Sequence, residues 1–284
     1  MNDDYLSKAK QEIALWEQQG PSWLAQVGDF ILWPATKLAE MLIPNGVYDA
    51  VGKAVEAFLL GISNVSDRTV NHDDIRERVA AARATFGEPQ EMSHDLAAAD
   101  QSAQHYWNWN LGYAGIEGGG FGALGLLGLA ADIPALFTVV IRLIQQTGVC
   151  YGYDPTKPEE RDYVIHILRT GSAGDVKGKL EALIFLKQLE QILIKVTFKK
   201  MNADLAAKQI SQLSLIAAVK QFAKSLGINL TKRKALQMVP IIGAIVGASF
   251  NATYANDIGR AAFMTYRRRW IAEHEEGDPS PTPL

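Results

Sequence analysis

The sequence predicts an all-α protein: a multi-helix bundle with two glycine-rich apolar helical hairpin segments at its centre. Apolar residues recur at helical spacing along most of the 284 residues, and no run alternates apolar and polar residues as a half-buried strand would. Two uncharged segments, the first glycine segment (118–131) and the second glycine segment (238–256), repeat glycine at spacings that let another helix approach closely. Close helix packing is therefore the first property that we expect of the fold.

Residues 1–90 are expected to form an N-terminal helical region. Gly20 and Pro21 end its first helix, because glycine favours a helix end and proline cannot continue a helix. The stretch from Gly87 to Pro89 separates this region from the rest of the chain. The expected helices of the region cover residues 4–18, 23–41, 47–63 and 73–85.

Residues 91–274 are expected to form a helical core, and the proline-rich residues 275–284 a disordered tail. Ser93 is a suitable N-cap for a helix that runs toward the first glycine segment. Asp132 is expected to cap the next helix, with Pro134 in its first turn, where proline is tolerated. The core thus begins with two long helices joined at a glycine-rich segment.

Further along the chain, Thr156 and Glu159 have the spacing of a capping box, which predicts a helix that ends near Arg169. Residues 179–200 and 203–226 interleave apolar with charged residues and predict two antiparallel amphipathic helices. The second glycine segment follows them and leads into a last helix with a basic cluster.

The first glycine segment is too short to span a membrane by itself. It would cover about 20 Å at ~1.5 Å per residue, whereas the hydrocarbon core of a bilayer is ~30 Å thick. Acidic residues stand at the N-terminus where a signal peptide has basic ones. We therefore expect a cytoplasmic protein, and the apolar segments suggest peripheral attachment to the inner face of the cell membrane.

The composition disfavours several functional classes. A net charge of −3 with 21% charged residues disfavours a nucleic-acid partner. The single cysteine, Cys150, excludes an internal disulfide framework and a multi-cysteine zinc site. No histidine pair has the HExxH spacing, and His94 and His105 lie too far apart along a helix to share an ion. We expect no metal and no cofactor.

Longer motifs indicate a family. The run GGGFGALGLLGLAADIPALFTVVIRLIQQTGVCYGYDP, then ERDYVIHIL and later MVPIIGAIVGASFNATYANDIGRAAFMTYRRRW resemble the EcsC protein family over roughly residues 95–270. That family takes its name from a bacterial protein associated with an ABC-type exporter, so the resemblance implies ABC transporter subunits as partners. It also implies a relation to hydrolases that some descriptions suggest, although no catalytic motif comes with it.

The apolar segments allow three interpretations. They form the centre of a soluble core, they insert as helical hairpins into one membrane leaflet, or they leave a cavity for an acyl chain between helices. Membrane lipid or an apolar ligand is the expected partner in the last two cases. The candidates for membrane contact are apolar residues of the first glycine segment and the basic cluster with its tryptophan: Phe121, Leu124, Leu127, Arg267, Arg268, Arg269 and Trp270.

Four polar residues in apolar surroundings are candidates for a ligand site or a buried polar role. Because a buried charge is costly unless it is paired, Asp132, Arg142 and Arg260 each require a partner. Asp132 and Arg142 lie about 15 Å apart along a helix, which disfavours a direct pair. Arg260 would pair with Asp132 unless Asp132 is simply an N-cap, which we favour, and Asn251 would hydrogen-bond between helices.

The absence of a catalytic motif favours a non-enzymatic protein. The alternative is a hydrolase whose site is assembled from scattered residues, with Ser172 or Cys150 as the nucleophile beside His166. No G-x-S-x-G elbow occurs in the sequence, and an all-α chain lacks the strand that such an elbow follows. Catalytic residues and the oligomeric state are both left open by the sequence.

Overall fold

A computed structural model of the chain is all-α, as the sequence predicts. The structure describes residues 2–20, 44–61, 69–87, 91–122, 125–197, 205, 208–210, 222–224, 226–228 and 243–277, and this part of the chain contains no strand. Its long helices are α1 (Asn2–Gln18), α2 (Asn45–Leu60), α3 (His72–Ala84), α4 (Met92–Gly122), α5 (Gly125–Cys150), α6 (Pro158–Gly171), α7 (Val176–Thr197) and α8 (Gly243–Gly277). The predicted helix 23–41 and most of the predicted helix 203–226 lie outside the described residues.

The centre of the fold is formed by α4, α5 and α8, each of which packs against the other two. Large side chains from α5, α6 and α8 fill the space between the helices, and Phe137, Tyr163, Tyr254 and Tyr266 are completely or almost completely buried. An aromatic side chain removes roughly 150–250 Å² from water when it is buried. The hydrophobic core therefore follows α8 from Tyr254 to Ile271.

The remaining helices surround this centre. The pair α6 and α7 pack on each other, and α6 also packs along α8. On the other side, α2 and α3 contact α5, and α3 also contacts α4. The N-terminal helix α1 touches α4, α7 and α8, so it closes the bundle across three helices.

Close approach between helices occurs at single glycines outside the two glycine segments. A Cβ atom at Gly259 of α8 would lie 2.5 Å from Nε1 of Trp107, and one at Gly171 of α6 would lie 2.7 Å from Cδ1 of Ile258. These positions require glycine because any side chain would overlap a neighbour that cannot move freely. The side chains of 117–122, 125–131 and 243–249 lie outside the described residues, so the predicted hairpins stay a prediction.

The structure corrects the predicted start of α5. This helix begins at Gly125 and runs through Asp132 and Pro134 without interruption, so Asp132 is not an N-cap. Pro134 removes one backbone donor from the helix interior. Residues such as Ile133, Leu136 and Phe137 are fully buried around it, and we infer that their packing compensates for the lost hydrogen bond.

Part of α5 is long and apolar enough to cross a membrane. Residues Asp132–Cys150 have a mean hydropathy of 1.4, yet 78% of that window is buried inside the protein. A buried core helix of a soluble bundle has the same composition. The structure therefore uses α5 as a core helix.

The predicted capping box before α6 is also absent. The N-cap of α6 is Lys157, whose side chain makes no capping hydrogen bond, and Pro158 occupies the first helical position. Thr156 donates from its backbone N–H (3.0 Å) and from its hydroxyl (2.7 Å) to Oδ1 of Asp154. Thr156 is therefore engaged in a turn with Asp154 and does not cap the helix. Pro158, whose backbone angle suits the first helical position, begins it instead.

Candidate functional site

Three consecutive arginines near the C-terminal end of α8 lie inside the bundle. Arg267 and Arg269 are 4% and 3% exposed, and the Arg268 side chain is 15% exposed. Consecutive helical residues point about 100° apart, so the three guanidinium groups reach different neighbouring helices. We call Arg267, Arg268 and Arg269 the arginine cluster.

Arg267 pairs with carboxylates of α1 and α4. Its Nη2 atom lies 2.7 Å from Oδ2 of Asp100, and its Nη1 atom lies 2.6 Å from Oε2 of Glu12. Asp100 also accepts hydrogen bonds of 2.6 Å from the hydroxyls of Tyr5 and Tyr151. Burial raises the pKa of Asp100, and the charge of Arg267 with the two hydroxyls opposes that rise.

Arg268 connects α8 to α1 and α7. It donates through Nε (3.0 Å) and Nη2 (2.6 Å) to the two carboxylate oxygens of Glu190, a bidentate arrangement that fixes the planes of both groups. Its Nη1 atom donates to Oε1 of Glu17 at 2.5 Å. Tyr163 adds a 2.5 Å hydrogen bond to Oε1 of Glu190, so this buried carboxylate is well satisfied.

Arg269 completes the cluster on the side of α6. Its Nη1 atom lies 2.7 Å from Oε1 of Glu160, and its Nε atom donates to Oε1 of Glu273 at 3.0 Å. The guanidinium carbon lies 3.9 Å from the ring centre of Tyr153 and 5.0 Å from that of Tyr163. Cation–π contact of this kind adds to the ion pairs in a desolvated site.

The cluster therefore ties α8 to α1, α4, α6 and α7 and makes its charges internal. The three arginines, which were candidates for membrane contact, pair with other helices of the protein. Trp270, a further candidate, is also buried, and its ring lies 3.7 Å from that of His274. A buried charge is tolerated because each one faces a carboxylate. This placement leaves the arginine cluster and Trp270 little surface for contact with a bilayer.

The two glycine-bearing helices are joined by a buried hydrogen bond. Asn251 of α8 donates from Nδ2 to Oδ1 of Asp132 in α5 at 2.9 Å, and both residues are almost fully buried. The predicted role of Asn251 between helices is thus confirmed. The predicted pair between Arg260 and Asp132 is wrong, because Arg260 donates to Oε1 of Gln19 at 2.8 Å.

Arg142 finds its partner on α4. Its Nε atom donates to Oδ1 of Asn110 at 2.9 Å, and Nδ2 of Asn110 donates to Oε1 of Gln146 at 2.7 Å. The guanidinium carbon also lies 5.1 Å from the ring centre of Tyr113. The expectation that Arg142 does not rely on Asp132 is consistent with this network, which holds a cation beneath an exposed aromatic ring.

An exposed apolar row follows this network along α4. Trp109, Tyr113 and Ile116 are 57%, 42% and 76% exposed, and their spacing of four and three residues places them on one face of the helix. The rings of Trp109 and Tyr113 pack edge to face at 5.5 Å. We call these three residues the aromatic stripe.

The aromatic stripe leads directly into the first glycine segment, which joins the end of α4 to the start of α5. Residues 118–131 carry no charge. The side chains of Phe121, Leu124 and Leu127, which the sequence analysis assigned to membrane contact, lie outside the described residues. The described part of the chain therefore presents one exposed apolar row just before this segment.

The residues proposed for a hydrolase have structural surroundings. Cys150 is buried, and burial raises the pKa of its thiol well above the usual range, which disfavours the reactive thiolate. The Ser172 hydroxyl forms a 2.7 Å hydrogen bond with that of Tyr254. His166 is fully buried, and its ring stacks on Phe185 with the centres 6.3 Å apart. Cys150 and His166 are therefore packed in the interior, and Ser172 is the C-cap of α6.

Among the residues that the structure describes, no group of three or more histidine, cysteine, aspartate or glutamate side chains could hold a metal ion. The carboxylates that gather in the interior face arginines of the cluster. The chemistry of this interior is therefore that of ion pairs and phenol hydrogen bonds.

Comparison with known proteins identifies the family. The family model of the EcsC protein family matches residues 7–271. The chain is 30% identical over 178 residues to the uncharacterized protein YdbA of Bacillus subtilis (strain 168), which covers 63% of this chain and 60% of that protein. No solved structure matches the chain. The family match begins within α1 and includes the arginine cluster and its facing carboxylates other than Glu273, and the chain belongs to the EcsC protein family.

Proposed function

We propose that this chain is a non-enzymatic helical protein that binds peripherally to a membrane through the aromatic stripe and the adjoining first glycine segment. The exposure of Trp109, Tyr113 and Ile116 is the observation that carries the proposal. Tryptophan and tyrosine concentrate at the level of lipid headgroups because their rings are apolar at one end and polar at the other. Ile116 lies one helical turn further toward the uncharged segment.

The charge distribution supports this orientation. Arg142 is half-buried beneath Tyr113, so its positive charge lies close to the stripe and would favour anionic lipid headgroups. Most of the acidic residues that pair with the arginine cluster are buried, and Glu12 is the most exposed of them at 40%. Contact with the membrane through the stripe would therefore leave most of these acidic residues away from the lipid.

Peripheral binding agrees better with the fold than a spanning arrangement does. The apolar part of α5 is mostly buried against other helices, and crossing a bilayer would require those contacts to open. Insertion to the depth of one side chain needs no such change, because the aromatic stripe is already at the surface.

The location and partners follow from this proposal. Membrane lipid is the direct partner, and the inner face of the cell membrane is the proposed location. The link to ABC transporter subunits stays a prediction from the family resemblance, and an exporter in the same membrane would be accessible to a protein bound in this way.

Liposome flotation tests the proposal. Purified full-length protein is mixed with vesicles of phosphatidylethanolamine and phosphatidylglycerol and centrifuged through a density gradient. We expect the wild type to float and the double variant Trp109→Ser/Ile116→Ser to lose at least tenfold in partitioning, since each side chain contributes about 1.5–3 kcal/mol when it leaves water. Leu15 of α1 is 53% exposed, so Leu15→Ser is a matched control and should float like the wild type.

Two results of the flotation experiment would contradict the proposal. If the double variant floats as well as the wild type, the aromatic stripe is not the contact surface. If the wild type stays at the bottom of the gradient with every lipid mixture, peripheral membrane binding is wrong.

A further inference from the structure

A groove of about 980 Å³ lies between α3 and α4. Its volume is within the range of ~300–1,000 Å³ that is usual for small-molecule sites. The residues that matter for its chemistry are Asp74, Glu77 and Arg78 on α3, and Ser102, Tyr106 and Trp109 on α4.

The α3 wall of the groove carries both signs of charge. Asp74, Glu77 and Arg78 are spaced at three and four residues, so they lie on one face of the helix, and all three are exposed. The guanidinium carbon of Arg78 lies 5.7 Å from the ring centre of Tyr106 on the facing helix. This contact holds the cation over the groove, with the two carboxylates beside it.

The base of the groove contains a buried hydroxyl. Ser102 is 1% exposed, and its Oγ atom has no hydrogen-bond partner among the described residues. Because this hydroxyl is closed off from solvent, the groove offers a ligand the exposed charges of Asp74, Glu77 and Arg78 instead.

The groove is continuous with the aromatic stripe. Trp109 lines the groove and is also the first residue of the stripe. A ligand with a polar head in the groove and an apolar tail along Trp109, Tyr113 and Ile116 would use both surfaces at once. A membrane lipid has this shape.

We propose that the groove binds the zwitterionic phosphoethanolamine headgroup of a membrane lipid, with the phosphate on Arg78 and the ammonium group on Asp74 and Glu77. This inference rests on the proposed membrane association. A purely anionic headgroup fits less well, because two carboxylates on the same wall would repel it. Phosphate and arginine form strong charge-assisted hydrogen bonds, and the ammonium group converts the neighbouring carboxylates into partners.

Titration calorimetry with soluble short-chain lipids tests the headgroup site. Dihexanoyl phosphatidylethanolamine, kept below its micelle concentration, should bind the full-length protein more tightly than dihexanoyl phosphatidylglycerol. Arg78→Gln should weaken phosphatidylethanolamine binding at least tenfold, as expected for the loss of a hydrogen bond to a charged group. Arg76 lies on the same helix and pairs with Asp73 at 3.2 Å, so Arg76→Gln is the control. Equal affinity of the two variants would overturn the proposal.

Substitution of the two carboxylates gives a second test, in which the preference for phosphatidylethanolamine should be lost. Asp74→Asn/Glu77→Gln removes the repulsion of an anionic headgroup and the attraction of an ammonium group. We expect this double variant to bind phosphatidylglycerol at least as tightly as phosphatidylethanolamine. An unchanged preference for phosphatidylethanolamine would contradict the proposed orientation of the headgroup.

Two further measurements distinguish a membrane lipid from free phosphoethanolamine as the source of the headgroup, and the headgroup site from membrane association. Free phosphoethanolamine lacks acyl chains and should bind at least tenfold more weakly than the short-chain lipid, and equal affinity would exclude a lipid as the natural source. If the wild type floats with vesicles but does not distinguish the two soluble lipids, the headgroup site is wrong and membrane association stands. If it binds soluble phosphatidylethanolamine but never floats, the headgroup site stands and membrane association is wrong.

Discussion

The end of α8 carries three consecutive arginines and lies inside the bundle, whereas the end of α4 carries the aromatic stripe and lies at the surface. Composition alone suggests the reverse placement, since arginines are usually exposed and tryptophan is usually buried on average. The difference shows that the arginines are buried because they form ion pairs with carboxylates. The arginine cluster is matched by carboxylates from other helices, while the stripe is not covered by any described part of the chain.

The two regions therefore have different energetic roles. Removing arginine and carboxylate groups from water costs several kcal/mol per ion, which good geometry and additional hydrogen bonds must offset. The cluster is held by short ion pairs, and its carboxylates accept hydrogen bonds from the hydroxyls of four tyrosines, Tyr5, Tyr151, Tyr153 and Tyr163. We infer that the cluster fixes how the helices sit together, and that the stripe is free to act on something outside.

The largest expected effect comes from Arg269→Met. This change leaves Glu160 and Glu273 without their cation in a buried site, and breaking one side of a buried pair costs about 3–5 kcal/mol. The unfolding free energy from urea denaturation should fall by that amount. Trp109→Ser in the stripe should change it by no more than about 0.5 kcal/mol. Similar losses for both variants would contradict the contrast between the two regions.

A second effect concerns another interior cation, Lys179 of α7. It donates to the backbone carbonyls of Trp16 and of Gln19 (2.9 Å) at the end of α1. Burial, with help from the charge of Arg260, lowers the pKa of Lys179 from 10.5 to about 8. Below pH 8 the folded and unfolded chains both hold this proton, and the cost of burying the charge is fully present.

Between pH 8 and 10.5 the unfolded chain binds more protons at Lys179, so its contribution to stability rises with pH. The difference in unfolding free energy between wild type and Lys179→Met should rise in this window, by at most on the order of 3 kcal/mol. Lys187→Met, at an exposed lysine of the same helix, is the matched control. A difference that falls as the pH increases would show that the lysine is stabilised in its charged form.

A smaller effect is expected for Asn251→Ala. The change removes the donor that lies 2.9 Å from Oδ1 of Asp132, and the loss of a hydrogen bond costs about 0.5–1.5 kcal/mol. Gln104 donates to Asn108 at an exposed position of α4, so Gln104→Ala is the matched control. Thermal unfolding of the two variants compares them, and an equal shift would mean that burial adds nothing to the Asn251 bond.

Helical periodicity was enough to predict the all-α class and the positions of several helices. Residues 73–85 and 179–200 agree closely with α3 and α7. Periodicity could not show that α5 continues through Pro134, because the compensation comes from packing with other helices. A single polar residue in an apolar run, Asn251, was enough to predict an interhelical hydrogen bond.

The arginine cluster could not be predicted in the same way. Its carboxylates stand at positions as distant as Glu12 and Glu190, and no local spacing connects them to α8. The aromatic stripe was missed for a related reason. Trp109, Tyr113 and Ile116 have the spacing of a core-facing row, and only the packing of α4 shows that this row faces outward.

Site-specific fluorescence tests the contrast between the stripe and the rest of the surface. Ile116→Cys and Leu15→Cys, each in a Cys150→Ala background, are labelled with nitrobenzoxadiazole and mixed with phosphatidylethanolamine and phosphatidylglycerol vesicles. The label at position 116 should shift its emission to the blue and be quenched by spin-labelled lipid, while the label at position 15 should change little. No shift at position 116, or an equal shift at both positions, would contradict membrane contact through the aromatic stripe.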